Sequence, residues 1–174
     1  MSNRHLSVLE NTEVNIFVLD HDVSKIAEYQ CDSHATKMCL ETCQLLCTAH
    51  HVLDESNEDN RFLYKKTHVN HPCSKWVRNN SANYQWTFDL FHAIALEYEY
   101  RYGRQHLSWK KLAGVLMKQP NNITQSNELS PFALAMPDQY KTDDPVESYR
   151  NYYLGEKRHL FRWKNRNQPE WIYN

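Results

Sequence analysis

The sequence predicts a mainly α-helical, single-domain bundle with a short N-terminal strand or extended segment and a long packed loop before the C-terminal helix. Glycine is scarce, at three of 174 residues, which argues against a many-stranded β fold. In several windows apolar residues recur at steps of three and four, the spacing of an amphipathic helix. No apolar run approaches the ~18 residues of a membrane span, and the N-terminus lacks a signal-peptide core. We therefore expect an intracellular protein that does not enter a membrane.

The N-terminal part should contain an extended run followed by two helices. Residues 14–19 are rich in β-branched and apolar side chains, which favours a strand or an extended entry segment. Asp22 suits the N-cap of a short helix that ends near Gln30. Ser33 can cap a long helix that should continue to about Leu53. Beyond it, residues 68–73 are expected to be irregular, because a proline disfavours a helical residue before it.

The central part should contain the most buried helix. Ser81 is the predicted cap of a strongly apolar helix, and Gly103 is a good residue to end it. Ser108 should open a shorter helix that stops before Pro120. Residues 119–143 lack periodicity but hold an apolar stretch, which predicts a packed functional loop rather than a linker.

The last helix has the clearest start. Asp144 suits the N-cap, Pro145 the first helical position, and Glu147 the third, which together resemble a capping box. The helix is predicted to continue to about Trp163. No repeat or domain boundary appears, so residues 1–174 are interpreted as one domain.

Charge and cysteine usage narrow the partners. Residues 1–60 hold three Lys/Arg and eleven Asp/Glu, whereas residues 61–118 hold ten and three. Such a basic middle segment indicates an anionic partner such as phosphate, unless it simply packs on the acidic segment. The five cysteines are an odd number, which argues against a disulfide framework; those in the long helix should act as small apolar residues.

The long helix carries a polar stripe, at helical steps of three and four, made of His34, Lys37, Glu41, Gln44, Thr48 and His51. Lys37 and Glu41 form either a weak surface ion pair, worth ~0.2–0.5 kcal/mol, or a partly desolvated pair in a cleft. In a cleft, the carboxylate could orient water or stabilise a sugar cation, and the lysine could act as a nucleophile. Composition alone leaves both interpretations open.

Other groups also have chemical potential. Glu97 and Arg101 lie one turn apart on the apolar helix, as a structural ion pair or as a second catalytic carboxylate with its partner. Rings and cations interleave within residues 76–86, 98–102 and 149–153, which suits base stacking and phosphate contact, although core packing explains many such rings.

A zinc site is a further hypothesis. Its four ligands would be Cys31, His34, His71 and Cys73, which are suitable residue types at an unusual spacing.

Several of these residues fall on motifs of a known family. Residues 15–20 fit Asn-x-Phe-x-Leu-Asp, and residues 31–46 fit Cys-Asp-x-His-x-x-Lys-Met-x-Leu-Glu-x-x-Gln-Leu-Leu. Further matches lie at residues 71–76, 83–86, 97–103, 135–141, 148–150 and 169–171. Through these motifs the sequence resembles a family of small tailed-bacteriophage proteins over about residues 15–172, with residues 1–14 as an extension. Members are sometimes labelled pyrimidine-dimer DNA glycosylase.

The resemblance implies a DNA base-handling protein in the cytoplasm of an infected bacterium, acting without a cofactor. As a glycosylase it would flip a base into a pocket and break its bond to the sugar. The catalytic candidates on the motif are Glu41, Lys37, His34 and Asp32. Base and phosphate contacts would come from Tyr84, Trp86, Asn83, Gln44, His71, Arg101, Tyr149, Arg150 and Lys157.

Each catalytic candidate then has an expected role. Glu41 would stabilise the oxocarbenium-like state or orient water, and His34 would protonate the leaving base or hold Glu41. The well-understood pyrimidine-dimer glycosylase uses its N-terminal amine, but residues 1–14 precede the family start here. Lys37 would therefore replace that amine or contact phosphate, or Glu41 would act with water alone.

Two alternatives to a glycosylase stay open. One is a non-catalytic phage protein that binds a nucleotide, DNA or a host defence protein, and the other is a zinc-dependent nucleotide-processing enzyme. The geometric expectation is specific: the polar stripe should face inward, toward Glu97 and the rings of Tyr84 and Trp86.

Overall fold

The computed structural model describes residues 14–173, in which there are six α-helices and no β-strand. The helices are α1 (Val23–Tyr29), α2 (Asp32–Leu53), α3 (Pro72–Val77), α4 (Ser81–Tyr102), α5 (Leu107–Leu116) and α6 (Pro145–Glu156). Short 3-10 turns occupy Glu58–Phe62, Asp138–Tyr140, Arg158–Leu160 and Glu170–Ile172. The mainly α prediction is confirmed. Apart from Val14, the predicted N-terminal extension lies outside the described residues.

The two 22-residue helices, α2 and α4, form the centre of the bundle. Helix α1 packs on α4, while α3 and α5 each pack on both central helices. All five cysteines are free and buried, and three of them line one face of α2 as small apolar side chains. None of the helices within residues 14–173 is long and apolar enough to cross a membrane.

Helix ends agree with the sequence where several residues make one cap. The Asp144 side chain accepts hydrogen bonds from the backbone N–H groups of Val146 and Glu147, as the capping pattern predicts. Gly103 ends α4 with φ +67°, a left-handed conformation that glycine adopts without steric cost.

The predicted serine caps are wrong. Helix α2 begins at Asp32 after Cys31, so Ser33 already lies inside the helix. Asn80 caps α4 by accepting from the Asn83 backbone N–H, and His106 caps α5 by accepting from the Ser108 N–H. Competing polar side chains one or two residues earlier take the cap position in both helices.

Two further predictions about helices are corrected. Residues 68–71 are irregular, as predicted, but Pro72 and Cys73 already belong to α3, because proline is well suited to the first helical turn and His71 caps the helix. Helix α6 stops at Glu156 and does not continue to Trp163. There the chain turns so that Phe161 stacks on Tyr153 and the Trp163 ring N–H donates to the Tyr29 carbonyl, at 3.1 Å.

Residues 14–19 form a buried extended segment rather than a strand. The Asn15 side-chain oxygen accepts from the backbone N–H groups of Ile16 and Phe17, and its amide donates to the Ala135 carbonyl at 2.9 Å. Ala135 belongs to the apolar stretch of the long loop that precedes α6, which packs against the core as predicted. The segment and the loop therefore fix each other beside α2.

Candidate functional site

The polar stripe of α2 lies largely inside the protein. His34, Glu41 and Thr48 are buried, and the other three members are half-buried. The Thr48 hydroxyl bonds to the Thr67 carbonyl at 3.2 Å, and His51 bonds to the Tyr64 carbonyl at 2.9 Å. The stripe therefore faces inward, as expected.

Glu41 has the most unusual environment on the stripe. Its Oε1 lies 3.4 Å from the Lys37 Nζ, while its buried Oε2 has no hydrogen-bond partner among the described residues. Burial raises the pKa of Glu41 to about 7; Lys37, the Asn15 backbone amide and Lys157 oppose that rise only partly. A carboxyl group with this pKa exchanges its proton readily near neutral pH.

His34 lies two turns before Glu41 and is held between rings. Its imidazole stacks on Phe17 with centroids 4.6 Å apart, and the ring of Tyr153 meets it edge to face at 5.3 Å. Its buried Nδ1 has no hydrogen-bond partner among residues 14–173. Burial, with Lys157, Lys37 and His159 nearby, lowers the pKa of His34 to about 3. A ring that stays neutral at pH 7 has no second proton to donate, so protonation of the leaving base does not fit His34.

Two aromatic side chains complete this region: Phe17, which was not predicted for the site, and Tyr152, one of the rings noted within residues 149–153. The rings of Phe17 and Tyr152 are nearly parallel, at 13°, with centroids 6.1 Å apart, and the Lys157 Nζ lies 5.1 Å from the Tyr152 centroid. Phe17 has φ +36°, a conformation that bulky residues rarely adopt and that its surroundings must hold. The available indication for Phe17 was its place in the Asn-x-Phe-x-Leu-Asp motif.

The structure thus brings together five of the predicted site residues: Glu41, Lys37, His34, Lys157 and, half-buried one turn from Glu41, Gln44. They come from α2 and from the end of α6. Segment 14–19 supplies the Phe17 ring and the backbone amide beside Glu41.

The expected partners of the stripe on α4 have other roles. Tyr84 is fully buried; its hydroxyl donates to the Leu116 carbonyl at 2.7 Å and pairs with His50. Trp86 packs in a cluster with Trp76 and Phe132. Asn83 also serves the fold, donating to the Trp76 carbonyl and accepting from the Ser130 N–H. Tyr84 and Trp86 therefore pack in the core, and the prediction that a base stacks on them is corrected.

Arg101, Glu97 and Asp32 form a separate buried network. Arg101 donates to Glu97 at 2.8 Å, to Asp32 at 3.1 Å and to backbone carbonyls of residues 27, 28 and 30. Arg166 donates two further bonds to Glu97, both at 2.9 Å. Burial raises the pKa of Glu97, but the bonds from Arg166 and Arg101 outweigh it and leave the pKa below its ordinary value. Of the two interpretations, the structure shows the ion pair.

That network removes two predicted site residues from the candidate site. All of the Arg101 guanidinium is engaged inside the protein, so the side chain is not available to hold a phosphate. The Asp32 carboxylate accepts from Arg101 and from the Lys164 backbone N–H at 2.9 Å, so it joins three chain segments.

The remaining predicted contacts also stabilise the fold. The buried Tyr149 hydroxyl donates to the Ala133 carbonyl at 2.6 Å. Arg150 donates to the Leu19 carbonyl at 2.8 Å and to Asp20 at 3.1 Å, which fixes the extended segment to α6. His71 accepts from the Cys73 N–H at 3.1 Å as the cap of α3.

The four proposed zinc ligands do not form a metal site. Within residues 14–173, no three His, Cys, Asp or Glu side chains are grouped as metal ligands. Cys31 accepts a hydrogen bond from the Tyr153 hydroxyl at 3.3 Å, and burial raises the pKa of Cys73 to about 12, which disfavours its thiolate. These four side chains therefore give no support to the zinc hypothesis.

A surface pocket lies at the opposite end of α2, away from Glu41. Its lining includes His50, Asp54, Asn60 and Lys118. The Asp54 carboxylate accepts from the backbone N–H groups of residues 121 and 122, at 2.6 and 3.0 Å. This carboxylate therefore holds the loop that follows α5.

Comparisons with protein-family models, with curated proteins and with solved structures gave no match to this chain. The likeness to tailed-phage proteins thus stays an expectation from motifs, and the case for a function depends on the geometry around Glu41.

Proposed function

We propose that the protein hydrolyses the N-glycosidic bond of a nucleotide base in DNA, with Glu41 as the central acid–base group. One observation carries the proposal: a buried carboxyl group has a pKa of about 7, one oxygen without a hydrogen-bond partner among residues 14–173, and a lysine 3.4 Å from the other oxygen. An unpaired polar atom in the interior is costly, and such costs are concentrated at functional sites.

In the proposed reaction, ionised Glu41 takes a proton from a water molecule while the oxygen of that water attacks C1′ of the sugar. The bond from that oxygen to C1′ forms, the bond from C1′ to the base nitrogen breaks, and the base leaves with the bonding pair and gains a proton from solvent. The negative charge of Glu41 also stabilises the oxocarbenium-like sugar. Lys37 limits the rise in the Glu41 pKa, so that the ionised form is populated at neutral pH.

The surrounding rings suit a planar substrate. Phe17 and Tyr152 are buried, nearly parallel rings beside the stripe, and aromatic faces are the usual platforms for an unstacked base once the rings separate to admit it. Neutral His34 contributes an Nδ1 that has no partner within the described part of the chain and can form a hydrogen bond with a base edge. Entry of a base requires the half-exposed Lys37 side chain to move aside.

The test is incubation of the protein with duplex and single-stranded DNA that bears normal, damaged, uracil-containing or hypermodified bases, followed by mass spectrometry of released bases. Release is expected from one substrate class. Glu41→Gln should lower the rate at least ~100-fold, the usual effect of removing an acid–base group. Binding of DNA without release from any substrate would favour the non-catalytic alternative.

The chain offers a matched control for this variant. Lys25 and Glu28 form an ion pair of the same residue types at the surface of α1, 3.1 Å apart. Glu28→Gln removes an equivalent charge without touching the stripe and should leave base release unchanged. An equal loss in Glu28→Gln and Glu41→Gln would contradict a specific role for Glu41.

A further inference from the structure

The basic segment, residues 157–166, follows α6 directly and begins beside Glu41. Its cationic members are Lys157, Arg158, Arg162, Lys164 and Arg166, with His159 among them, and no Asp or Glu occurs between Glu156 and Glu170. Lys157 lies close enough to influence both Glu41 and His34 electrostatically. The segment therefore carries positive charge from the candidate site outward over the surface.

Apolar side chains turn the segment into a fixed surface. Leu160, Phe161 and Trp163 pack against the core, whereas Arg158, His159, Arg162 and Lys164 are exposed. The segment thus keeps its rings inside and its cations outside.

Asp32 anchors the same segment at its middle. The Asp32 backbone N–H donates to the Arg162 carbonyl at 2.8 Å, and its side chain accepts from the Lys164 N–H at 2.9 Å. The exposed cations thus project from a backbone that is held at both sides of Trp163.

These cations are not neutralised within the described part of the chain. Among residues 14–173, Lys157, Arg158 and Arg162 make no ion pair with a carboxylate. Arg166, in contrast, forms an ion pair with Glu97. Lys164 lies over the ring of Tyr102, at 5.2 Å. Several unpaired cations along one hydrogen-bonded segment suit a ligand with several negative charges, such as a phosphodiester strand.

We infer that the basic segment binds the phosphodiester backbone of a nucleic acid strand and leads that strand past Glu41. This inference rests on the proposed function for its substrate, but it concerns binding and is tested without turnover. Lys157 would contact the phosphate nearest the reacting sugar, and Arg158 and Arg162 the phosphates beyond it.

The experiment measures binding of the full chain to dye-labelled single-stranded DNA, duplex DNA and RNA by fluorescence anisotropy over a series of salt concentrations. The test variant is Arg158→Gln with Arg162→Gln, both exposed positions. The control is Lys110→Gln with Lys111→Gln, which removes the same charge from the exposed face of α5. Circular dichroism verifies that both variants are folded.

The test variant should lose about tenfold or more in affinity at low salt, and its salt slope should fall by about 1.4 for single strands, at roughly 0.7 per lost phosphate contact. The control should bind like the wild type. Equal losses in both variants, or no loss in either, would overturn the inference. Comparison of DNA with RNA identifies which strand is held.

Binding to vesicles of phosphatidylcholine and phosphatidylserine, without binding to any oligonucleotide, would also overturn it. The outcome is separable from that of the proposed reaction. Loss of binding in the test variant supports the basic segment even when no base is released, and base release with unchanged binding supports Glu41 while refuting the segment.

Discussion

Glu41 carries a buried carboxyl group, and within the described residues only one of its two oxygens has a partner. Lys37 approaches one oxygen, and the other has no partner among the described residues. Burial favours the protonated form, which places the pKa of Glu41 at about 7 in the folded protein, compared with 4.5 for the free side chain. That difference makes protein stability depend on pH.

We therefore predict that the contribution of Glu41 to stability falls as the pH rises from about 4.5 to about 7. In that interval the folded state binds more protons at Glu41 than the unfolded state, so the free energy of unfolding decreases with pH. The change attributable to Glu41 should be on the order of 2–3 kcal/mol. It is measured by urea denaturation of the wild type and of Glu41→Gln, which lacks this titration.

The difference between the two curves isolates Glu41 from other titrating groups. Relative to the wild type, Glu41→Gln should gain stability over that interval and no more above it. A constant difference between the variants at all pH values would show that the pKa of Glu41 is the same in the folded and unfolded states, and the acid–base proposal would lose its support.

Arg101 shows why residue type alone misleads. An arginine among tyrosines was predicted to hold phosphate, yet its guanidinium is buried and bonded to Glu97, Asp32 and backbone carbonyls. We predict that Arg101→Met lowers the free energy of unfolding by about 3–5 kcal/mol, because it removes the buried cation from Glu97 and Asp32 and the donor from three backbone carbonyls.

Exposed Arg104, three residues further on, provides the comparison. Arg104→Met should change stability by less than about 0.5 kcal/mol in the same denaturation experiment. If Arg101→Met instead retained stability and lost affinity for DNA, the phosphate-binding role first expected for Arg101 would be restored.

At the scale of single elements, the end of α6 is shaped by one glycine. A Cβ atom at Gly155 would overlap the ring of Tyr140, which packs on Tyr152 with centroids 5.6 Å apart. The missing side chain at Gly155 therefore lets the 3-10 turn at Asp138–Tyr140 approach α6. From that turn, Tyr140 packs on Tyr152 beside the candidate site.

We predict that Gly155→Ala destabilises the protein by about 1 kcal/mol, because displacement of Tyr140 outweighs the better helix propensity of alanine. Gly114 in α5 is the matched control, since a Cβ atom at that position would have no neighbour within 4 Å. Gly114→Ala should stabilise by about 0.5–1 kcal/mol. Thermal unfolding of both variants tests this prediction. A gain of stability in both would mean that Tyr140 moves aside at no cost in free energy.

The elements also show which sequence patterns were sufficient. Asp144, Pro145 and Glu147 specify a helix start together, and that start was predicted correctly. Single serines did not suffice at α4 and α5, because neighbouring polar side chains compete for the same backbone groups, nor at α2, which begins after Cys31 without a side-chain cap. The end of α6 depends on Asp32 and on ring packing, which are distant in sequence and therefore invisible to a local pattern.

Across the whole molecule, the candidate site joins three segments that are far apart in the chain. Helical periodicity on α2 predicted that Lys37, Glu41 and His34 share a face, and they do. Periodicity gives no information about what packs on that face, so Phe17 was missed, Tyr152 was noted only as one of the rings in residues 149–153, and Tyr84 was wrongly expected there. Buried, satisfied polar residues and exposed ligand contacts look alike in a sequence.

Asp32 links the central helices to the basic segment, because it bonds both to Arg101 and to the Lys164 backbone. A variant of Asp32 therefore tests whether that link fixes the basic segment. We predict that Asp32→Ala exposes the backbone N–H of Lys164 to solvent and loosens residues 162–166, while α2 and α4 stay folded. Hydrogen exchange followed by mass spectrometry should show faster exchange confined to that segment, since local opening can occur without global unfolding.

Asp89, whose carboxylate accepts an exposed bond from Gln85 on α4, supplies the control variant Asp89→Ala. It should leave exchange in residues 162–166 unchanged. Because the exposed cations bind strands best from a fixed backbone, Asp32→Ala should also weaken DNA binding several-fold without removing a positive charge. Uniformly faster exchange throughout the protein would instead mean that Asp32 supports the whole bundle through Arg101, and that the basic segment has no separate stability.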